Sequence, residues 1–449
     1  MQKLMVSDGV SLRCEGDSIR ILLGKVERRL LVGEVVAGLL SRLSDEVLGL
    51  DELGAGLMGA SGGMQHLAVL TATVRNFLAV GVLSQVVLVD EIVVAILGKK
   101  GRLHWQEGSP PDSAVIDPRV VATQQGDWVL LDSGIACGLV KVRPTVAGLV
   151  LAGQELAPGE RLAPLRDLLW RAALLVPEET LGSMESSMWD PVELLMMERS
   201  NDAAANARYG ATYRYLEVCA PPPRVEEIQR DEAIQLPEPD PDRWYREDAA
   251  FGVVAEQRRS VSFFSEDEPP TLNQLAGVLH RSARIQHQFL DDKGVEVSRR
   301  PVAAGGALHE TDLYVAVNRA EGLEEGLWRY NPQDNTIERF HCLKSPSLLL
   351  GEAAASLWGN RKPPIVIIAV ARFARVFWKY EGVGAALILK NVGVLLHALQ
   401  LAAVAEGLGS CALGSNSARL FEEVTGLGFP SHSPVGQLVL GVKQKEQPS

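Results

Sequence analysis

The sequence predicts an α+β protein in which two small, related modules precede a larger C-terminal domain. A degenerate repeat marks the two modules, because Val36-Ala37-Gly38-Leu39 recurs 110 residues later as Val146-Ala147-Gly148-Leu149. The proline-rich stretch 221–241 then separates the front half from the back half. In the back half, 363–371 has the pattern of a fully buried strand, and 384–405 has the pattern of a helix that is apolar on all sides. Such a helix belongs in a core or in a large subunit interface.

Composition limits the class of protein. The chain has 449 residues, 47% of them hydrophobic, which is enough for more than one core. Its formal net charge of −12 argues against nonspecific nucleic-acid binding, which relies on basic surfaces. The five cysteines are scattered and the histidines lack metal-ligand spacing, so we expect a reducing, cytoplasmic setting with neither a disulfide framework nor a metal site. We expect no signal segment and no membrane span, because Lys390, Asn391 and His397 interrupt the longest apolar run.

Each unit of the repeat has a strand pair followed by helices, and the first unit adds a two-stranded wing. We therefore predict winged-helix-like modules over 1–104 and 105–185, joined through the glycine- and proline-containing stretch 98–112. The acidic charge disfavours DNA binding. An extended peptide could instead add as a strand to the edge of such a sheet, with its apolar side chains in the groove beside the helix. A purely structural or dimerising role remains an equal alternative.

Residues 186–245 are predicted to form a connecting helix and a proline-rich linker, and 246–449 the last domain. Within that domain, Arg258, Arg259 and Ser260 offer guanidinium and hydroxyl groups suited to a phosphate. The small residues of 304–308 allow a backbone to approach a planar or phosphorylated ligand closely. Neither a Walker loop nor a dinucleotide fingerprint is present there. Taken singly, each of these groups could equally be a solvated turn.

Lys379 and Tyr380 are the candidate acid/base pair. They follow the buried strand and the apolar Phe377-Trp378, and burial is expected to lower the pKa of the lysine toward the range of a general base. Near the end of the chain, the long helix closes with a glycine turn, Gly407-Leu408-Gly409-Ser410-Cys411-Ala412-Leu413-Gly414-Ser415.

Five motifs in order resemble the SagB-type dehydrogenases, which are flavoenzymes of the nitroreductase-like superfamily that oxidise azoline rings in thiazole/oxazole-modified peptides. They are Arg258-Arg259-Ser260, the run from Arg299-Arg300-Pro301 to Gly305-Gly306-Ala307-Leu308-His309, Gly326-Leu327-Trp328-Arg329-Tyr330, Lys379-Tyr380 and Gly407-Leu408-Gly409-Ser410-Cys411. The resemblance covers about 189 to the end. The two front modules are similar to the peptide-clamp modules fused to azoline oxidases of cyanobactin pathways.

This resemblance implies a C-terminal FMN-dependent nitroreductase-like fold and a homodimer with each flavin at the subunit interface. It implies that Lys379 and Tyr380 are catalytic, with Lys379 as the base. The implied FMN-binding residues are Arg258, Arg259, Ser260, Ala304, Gly305, Gly306, Ala307, Leu308, Ala412, Leu413, Gly414 and Ser415. Two departures from the family pattern are Glu310, where a proline is usual, and Ala412-Leu413-Gly414-Ser415, where Pro-Ile-Gly-Gly is usual.

The expected function is therefore FMN-dependent oxidation of azolines in a precursor peptide to thiazoles or oxazoles, with dioxygen reoxidising the flavin and a cyclodehydratase as an associated partner. One alternative is a nitroreductase or quinone reductase that uses NADH or NADPH. Another is a scaffold that binds a leader peptide without catalysis. The sequence leaves open the ring type, the identity of the precursor and whether the front modules bind a leader.

Overall fold

The computed structural model describes residues 2–23, 26–57, 61–99, 105–182, 187–201, 209–238, 240–357, 361–414 and 416–444. It has a mixed α+β architecture, and the chain divides into two compact units, 1–207 and 208–449.

The first unit contains two sets of elements, and each set begins with four strands that are followed by helices. The first set is β1 (Gln2–Val6), β2 (Val10–Glu15), β3 (Ser18–Leu23), β4 (Val26–Leu31), α1 (Glu34–Ser41), α2 (Leu50–Gly54), α3 (Gly63–Ala79), β5 (Leu83–Val89) and β6 (Ile92–Lys99). The second set is β7 (Ala114–Ile116), β8 (Val121–Gln125), β9 (Trp128–Asp132), β10 (Gly138–Val142), α4 (Pro144–Leu151), α5 (Ala163–Arg171) and β11 (Leu175–Pro177), followed by α6 (Pro191–Asn201).

Strand pairing joins the two sets. Within the described part of this unit, β2-β3-β4 form one antiparallel sheet, β7 pairs with β11, and a larger sheet has the order β1-β5-β6-β10-β9-β8. Strand β6, the second strand of the expected wing, pairs along β10. The expected linker 98–112 thus begins inside a strand, while 100–104 lie outside the described residues. The winged-helix description and the module boundaries stay predictions.

The described residues of this unit form two hydrophobic clusters, and the second also contains Ala95 and Leu97 from β6 of the first set. The first includes Ile19, Val36 and Leu70, from β3, α1 and α3. The second includes Val140 and Leu168, from β10 and α5. Since the apolar residues recur at two-residue intervals in the strands and at three- or four-residue intervals in the helices, most of these elements bury one face. Strand β4 is the exception, because all six of its residues are exposed.

The second unit is built on one central sheet. Its strands are β12 (Gly210–Ala211), β13 (Arg230–Gln235), β14 (His287–Leu290), β15 (Glu296–Arg299), β16 (Thr311–Val317), β17 (Gly326–Asn331), β18 (Thr336–Phe340), β19 (Ile365–Arg372), β20 (Tyr380–Glu381), β21 (Gly409–Leu413) and β22 (His432–Gly441). Its helices are α7 (Pro241–Glu247), α8 (Phe251–Gln257), α9 (Leu272–Ala283), α10 (Ser347–Ala355), α11 (Phe373–Phe377), α12 (Gly384–Ala405) and α13 (Ala418–Thr425). Across the described residues the main sheet has the order β13-β18-β17-β16-β19-β22-β21.

Strand β19 and helix α12 form the centre of this unit. All eight residues of β19 are buried, as its run of β-branched side chains predicts. Helix α12 packs against α9 and β22. It keeps Leu389 and Val394 about half exposed, so one side faces the core and another presents apolar surface. Helix α12 is also long and apolar enough, by length and composition alone, to cross a membrane.

The segment 186–245 differs from the connecting linker that the sequence predicts. Strand β13, Arg230–Gln235, pairs antiparallel with β18 and forms one edge of the main sheet. Main-chain hydrogen bonds hold it there, so it needs few apolar side chains, which is why its polar sequence reads as linker.

Candidate active site

The predicted catalytic pair lies beyond the carboxyl end of β19. The strand ends at Arg372, α11 follows, and Lys379 and Tyr380 come next. The loop 304–310 precedes β16 and reaches the same end of the sheet, because Thr311 pairs with Ala371 near the end of β19. The fold therefore brings together two segments separated by about seventy residues in the sequence.

Gly306 brings the backbone of the loop 304–310 close to the catalytic candidates. Its backbone is left-handed, with φ at 62°, a conformation that glycine adopts without strain. A Cβ atom placed there would lie 2.4 Å from Tyr380 Oη and 3.3 Å from Lys379 Nζ. Only a residue without a side chain leaves both catalytic candidates in place. Steric exclusion therefore explains why the predicted flavin-lining loop has glycine at position 306.

Lys379 is buried and forms an ion pair. Its Nζ donates to Asp291 Oδ2 at 2.8 Å and lies 5.3 Å from the centre of the Tyr213 ring. Burial by itself lowers the pKa of this lysine, but the hydrogen bonds to Asp291 and Tyr213 outweigh it, and the net pKa is raised above its ordinary value. The expectation that an apolar environment lowers the pKa of Lys379 is therefore wrong, because the lysine has a carboxylate partner.

Asp291 is itself fixed by the turn between β14 and β15. Its Oδ1 accepts the backbone N–H groups of Lys293 and Val295, and Tyr213 Oη lies 3.2 Å from Oδ2. Burial would raise the pKa of Asp291, but the Lys379 ammonium and these N–H groups lower it to about 2. The carboxylate is thus charged at neutral pH and holds Lys379 in one position.

Helix α12 supports the glycine loop from behind. The backbone N–H of Gly305 donates to Asn391 Oδ1 at 3.1 Å, and Asn391 Nδ2 donates to both carboxylate oxygens of Glu310 at 3.0 and 3.1 Å. Glu310 is fully buried, and burial raises its pKa. Glu310 stands where the resemblance predicts a proline, and its carboxylate is a buried hydrogen-bond acceptor that orients Asn391.

Arg375 anchors the same loop from α11. Its side chain is 1% exposed and donates to the carbonyl oxygens of Leu308 and Pro222, both at 2.8 Å, and of Glu296. Burial lowers its pKa to about 9. One side chain therefore ties the end of the glycine loop to β15 and to the proline-rich segment.

Replacing Arg375 with alanine is expected to destabilise the C-terminal unit by about 3 kcal/mol or more, because three carbonyl groups lose their partner inside the protein. Urea unfolding followed by circular dichroism measures this loss. Arg361→Ala is the matched control, since its guanidinium is 73% exposed and pairs with exposed Glu266; its effect should stay below about 1 kcal/mol. Equal effects of the two substitutions would contradict the anchoring role.

The predicted phosphate-binding residues occupy another part of the unit. Arg258 ends α8, Arg259 and Ser260 are exposed, and Ser260 forms a parallel bridge with Ser410 of β21. Sequence alone missed α8, which places the arginines at a helix C-terminus. The glycine turn predicted over 407–415 is in large part strand β21, which includes Ala412 and Leu413 because their main chains pair with β22. Ala412 and Gly414 are exposed and Leu413 is buried; Ser415 lies outside the described residues.

The register of the sheet separates these residues from the catalytic pair. Ser410 and Ile365 both pair with Leu440, so Ser260 lies level with the first residue of β19. Lys379 lies beyond the last residue, Arg372. At about 3.3 Å per residue, the seven steps along β19 span about 23 Å. Within one chain, the structure thus places Lys379, Tyr380 and 304–308 together and Ser260 at the opposite end of the sheet.

The sequence patterns did not identify three residues of the candidate site. Asp291 and Tyr213 contact Lys379, and Asn391 supports the glycine loop. The stretch Asp291-Asp292-Lys293-Gly294 is recognisable as a turn, but no local pattern pairs it with a lysine 88 positions away.

Known proteins that are similar to this chain match its C-terminal half. Residues 255–442 match the model of the nitroreductase family. A protein of Methanocaldococcus jannaschii that is named as a nitroreductase is 28% identical over 182 residues, which are 40% of this chain and 83% of the relative. The C-terminal half is therefore similar to proteins of the nitroreductase family over these residues, and its fold is nitroreductase-like.

Two solved structures are similar at low sequence identity. A nitroreductase structure from Ralstonia eutropha has 20% identity and a TM-score of 0.38, and the match covers 51% of this chain and 96% of that one. The Escherichia coli microcin synthetase McbBCD complex, solved with truncated pro-MccB17 bound, matches with 15% identity and a TM-score of 0.37. That match covers 53% of this chain and 89% of the matched chain.

Proposed function

We propose that this protein is an FMN-dependent oxidase that converts azoline rings of a ribosomally made peptide to thiazoles or oxazoles. The observation that carries the proposal is the convergence of Lys379 and Tyr380 on the left-handed backbone of Gly306. A proton-transfer pair beside a bare backbone segment suits dehydrogenation of a flat ring against a flat cofactor. In this proposal the protein acts in the cytoplasm, after a cyclodehydratase has formed the ring.

The glycine loop is compatible with FMN. Gly305 and Gly306 present backbone without side chains, and Asn391 and Arg375 hold the loop from behind, so its shape is set before any ligand binds. Proteins of the nitroreductase family typically use FMN. When bound, the flavin would supply the hydride acceptor and pass the electrons to dioxygen.

Lys379 and Tyr380 supply the proton chemistry. Aromatising an azoline removes two hydrogens, one as a hydride with its bonding electrons and one as a proton from the neighbouring ring carbon. We propose that the Lys379 amine takes the proton and that Tyr380 orients or relays it. Asp291 keeps the amine in place. Because Asp291 also raises the pKa of Lys379, the neutral amine that accepts a proton is a minor form at neutral pH.

A second copy of the chain is proposed to complete each flavin site. The Ser260 region and Lys379 lie at opposite ends of β19, about 23 Å apart along the strand, so in this proposal they serve different flavins. The exposed apolar residues of α12, Leu389 and Val394, offer a surface for a partner. We therefore propose a homodimer in which Arg258, Arg259 and Ser260 of one copy bind the phosphate and Lys379 of the other faces the ring.

Mass spectrometry of an azoline-bearing peptide tests the function. After aerobic incubation with the purified, FMN-reconstituted protein, the peptide is expected to lose two hydrogens per ring. An unchanged peptide together with rapid flavin reduction by NADH or NADPH would assign the protein to the nitroreductase or quinone reductase class. Failure to retain FMN would overturn an enzymatic role and leave a peptide-binding scaffold.

The oxidation rate is expected to rise with pH. The active form of Lys379 is the neutral amine, and its raised pKa means that this form increases about tenfold per pH unit between neutrality and the pKa. Replacing Asp291 with asparagine removes the charge that raises the pKa, so the rising limb should move to lower pH by about one unit or more. Single-turnover flavin reduction at a series of pH values measures both effects. A rate independent of pH, or an unmoved profile in Asp291→Asn, would contradict the role of the amine.

A further inference from the structure

A short segment that precedes the nitroreductase-like region lies against the candidate catalytic pair. Strand β12 pairs antiparallel with β20, and this pairing sets Ala211 opposite Tyr380. Two residues further on, the backbone N–H of Tyr213 donates to the carbonyl oxygen of Lys379 at 3.2 Å. Since the match to the nitroreductase family begins at residue 255, these contacts come from a part of the chain outside the matched region.

The neighbours of Tyr213 fasten this segment through one carboxylate. Thr212 Oγ1 donates to Glu381 Oε2 at 2.6 Å, and Arg214 Nη1 donates to Glu381 Oε1 at 3.1 Å. Glu381 directly follows Tyr380 in the sequence. Tyr213 is thus held on both sides by residues that bind next to the catalytic pair.

The backbone of Tyr213 has a conformation that is unusual for a bulky residue. Its φ is 51°, in the left-handed region, where a side chain meets steric resistance that glycine avoids. Such conformations persist where surrounding contacts hold them, and they are concentrated at functional sites. The ring packs edge-on against Trp378, with the two ring centres 6.1 Å apart. The conformation therefore indicates that the position of this side chain is constrained.

The phenol of Tyr213 forms a group of three with Asp291 and Lys379. Tyr213 Oη donates to Asp291 Oδ2 at 3.2 Å, and the same carboxylate oxygen accepts from Lys379 Nζ at 2.8 Å. Nζ lies 5.3 Å from the centre of the Tyr213 ring, and a hydrogen bond from the lysine to the phenol contributes to the raised pKa of Lys379. A phenol oxygen can donate one hydrogen bond and accept another. The lysine therefore has two acceptors, Asp291 and Tyr213.

The remaining neighbours of Nζ belong to the glycine loop and to Tyr380. A Cβ atom placed at Gly306 would lie 3.3 Å from Nζ, and the centre of the Tyr380 ring is 5.8 Å away. The titratable groups that act on Lys379 are Asp291, Tyr213 and Tyr380. A neutral amine has two N–H bonds and one lone pair in a tetrahedral arrangement. When two acceptors take the N–H bonds, the lone pair points away from both of them.

We propose that Tyr213 is a positioning residue for proton transfer: with Asp291, it accepts the N–H groups of the neutral Lys379 amine and directs the lone pair toward the backbone of Gly306, beside the substrate ring. In the reaction, this lone pair forms a new N–H bond with the proton of one ring carbon. The electrons of the broken C–H bond enter the ring as a hydride leaves the neighbouring carbon for the flavin. This inference rests on the proposed function for the reaction, whereas the contact between Tyr213 and Lys379 does not.

Competitive labelling with acetic anhydride tests the contact without turnover. The reagent acylates only the neutral amine, so labelling the full-length protein over a series of pH values gives the midpoint of the Lys379 titration. Mass spectrometry of the peptide that contains Lys379 measures the extent. Tyr213→Phe keeps the ring but removes the oxygen that accepts an N–H group, so the midpoint is expected to move to lower pH by about half a unit. An unmoved midpoint would overturn the proposal.

Tyr215→Phe is the matched control on the same segment. The guanidinium carbon of Arg214 lies 4.6 Å from the centre of the Tyr215 ring, a contact that phenylalanine keeps. This variant should leave the midpoint in place and the oxidation rate within about twofold of wild type. Tyr213→Phe should instead slow single-turnover flavin reduction by an azoline peptide about tenfold, because a misdirected lone pair costs more than the lower pKa returns. Equal effects of the two substitutions, or an unchanged rate in Tyr213→Phe, would overturn the positioning role.

The labelling and the oxidation rate fail separately. A wild-type protein that oxidises no azoline, but whose Lys379 midpoint moves in Tyr213→Phe, would refute the proposed function and leave the contact with Tyr213 standing. A protein that oxidises azolines with the same rate and the same midpoint in Tyr213→Phe would do the reverse.

Discussion

Replacing Lys379 with alanine is expected to reduce azoline oxidation by about a hundredfold to ten-thousandfold, the range contributed by a positioned general base. The loss follows from the position of its Nζ, which is held by Asp291 close to the Gly306 backbone. The measurement is the rate of two-hydrogen loss by mass spectrometry, together with the flavin absorbance of the purified variant. FMN content should stay close to wild type, because Lys379 handles the proton and the glycine loop remains anchored.

Lys293→Ala is the matched control for this prediction. Lys293 is an exposed lysine in the turn that holds Asp291, and only its backbone N–H takes part in that turn. Its replacement should leave the oxidation rate within about twofold of wild type. Near-full oxidation by Lys379→Ala would refute Lys379 as the base and shift the proton-transfer role to Tyr380.

Replacing Gly306 with alanine is expected to lower FMN affinity and to slow oxidation about tenfold or more. The new methyl group would overlap Tyr380 Oη, at 2.4 Å, and crowd Lys379 Nζ, so the catalytic pair must move; displacements of about 1 Å in an active site are costly. Titration of the flavin-free protein with FMN, followed by fluorescence quenching, measures the affinity. The same preparation then serves for the oxidation rate.

Gly294→Ala separates this steric effect from backbone strain. Gly294 also has a left-handed backbone, with φ at 78°, but a Cβ atom there meets nothing within 4 Å. Gly294→Ala should therefore lose about 1 to 2 kcal/mol from backbone strain, and Gly306→Ala should lose at least as much, because the overlap with Tyr380 adds to the strain; urea unfolding measures both. Only Gly306→Ala should change FMN affinity and rate. Equal loss of activity in the two variants would mean that strain, and not the approach to Tyr380, explains the glycine.

Several elements could be predicted because their information is local. The eight buried residues of β19, the apolar α12 and the start of α9 at the Thr271 cap follow from periodicity and capping, which depend on neighbours in sequence. The nitroreductase-like fold of the C-terminal half could likewise be predicted, because five motifs occur in the expected order. The pairing of Lys379 with Tyr380 needed no structure, since the two residues are adjacent.

Other features depend on contacts between distant segments. The sequence indicated a buried lysine with a lowered pKa, whereas the fold supplies Asp291 and raises it. Polar β13 resembled a linker because an edge strand is held by main-chain hydrogen bonds, which side-chain patterns do not display.

Local patterns in the sequence are enough to predict the class of fold, the order of the motifs and the candidate catalytic pair. The raised pKa of Lys379, the steric need for glycine at position 306 and the place of β13 at the edge of the main sheet arise only in the folded chain. One cause explains all three features. Periodicity, capping and turn chemistry act over a few residues, whereas ion pairing, close approach and strand addition are properties of residues that meet only when the chain has folded.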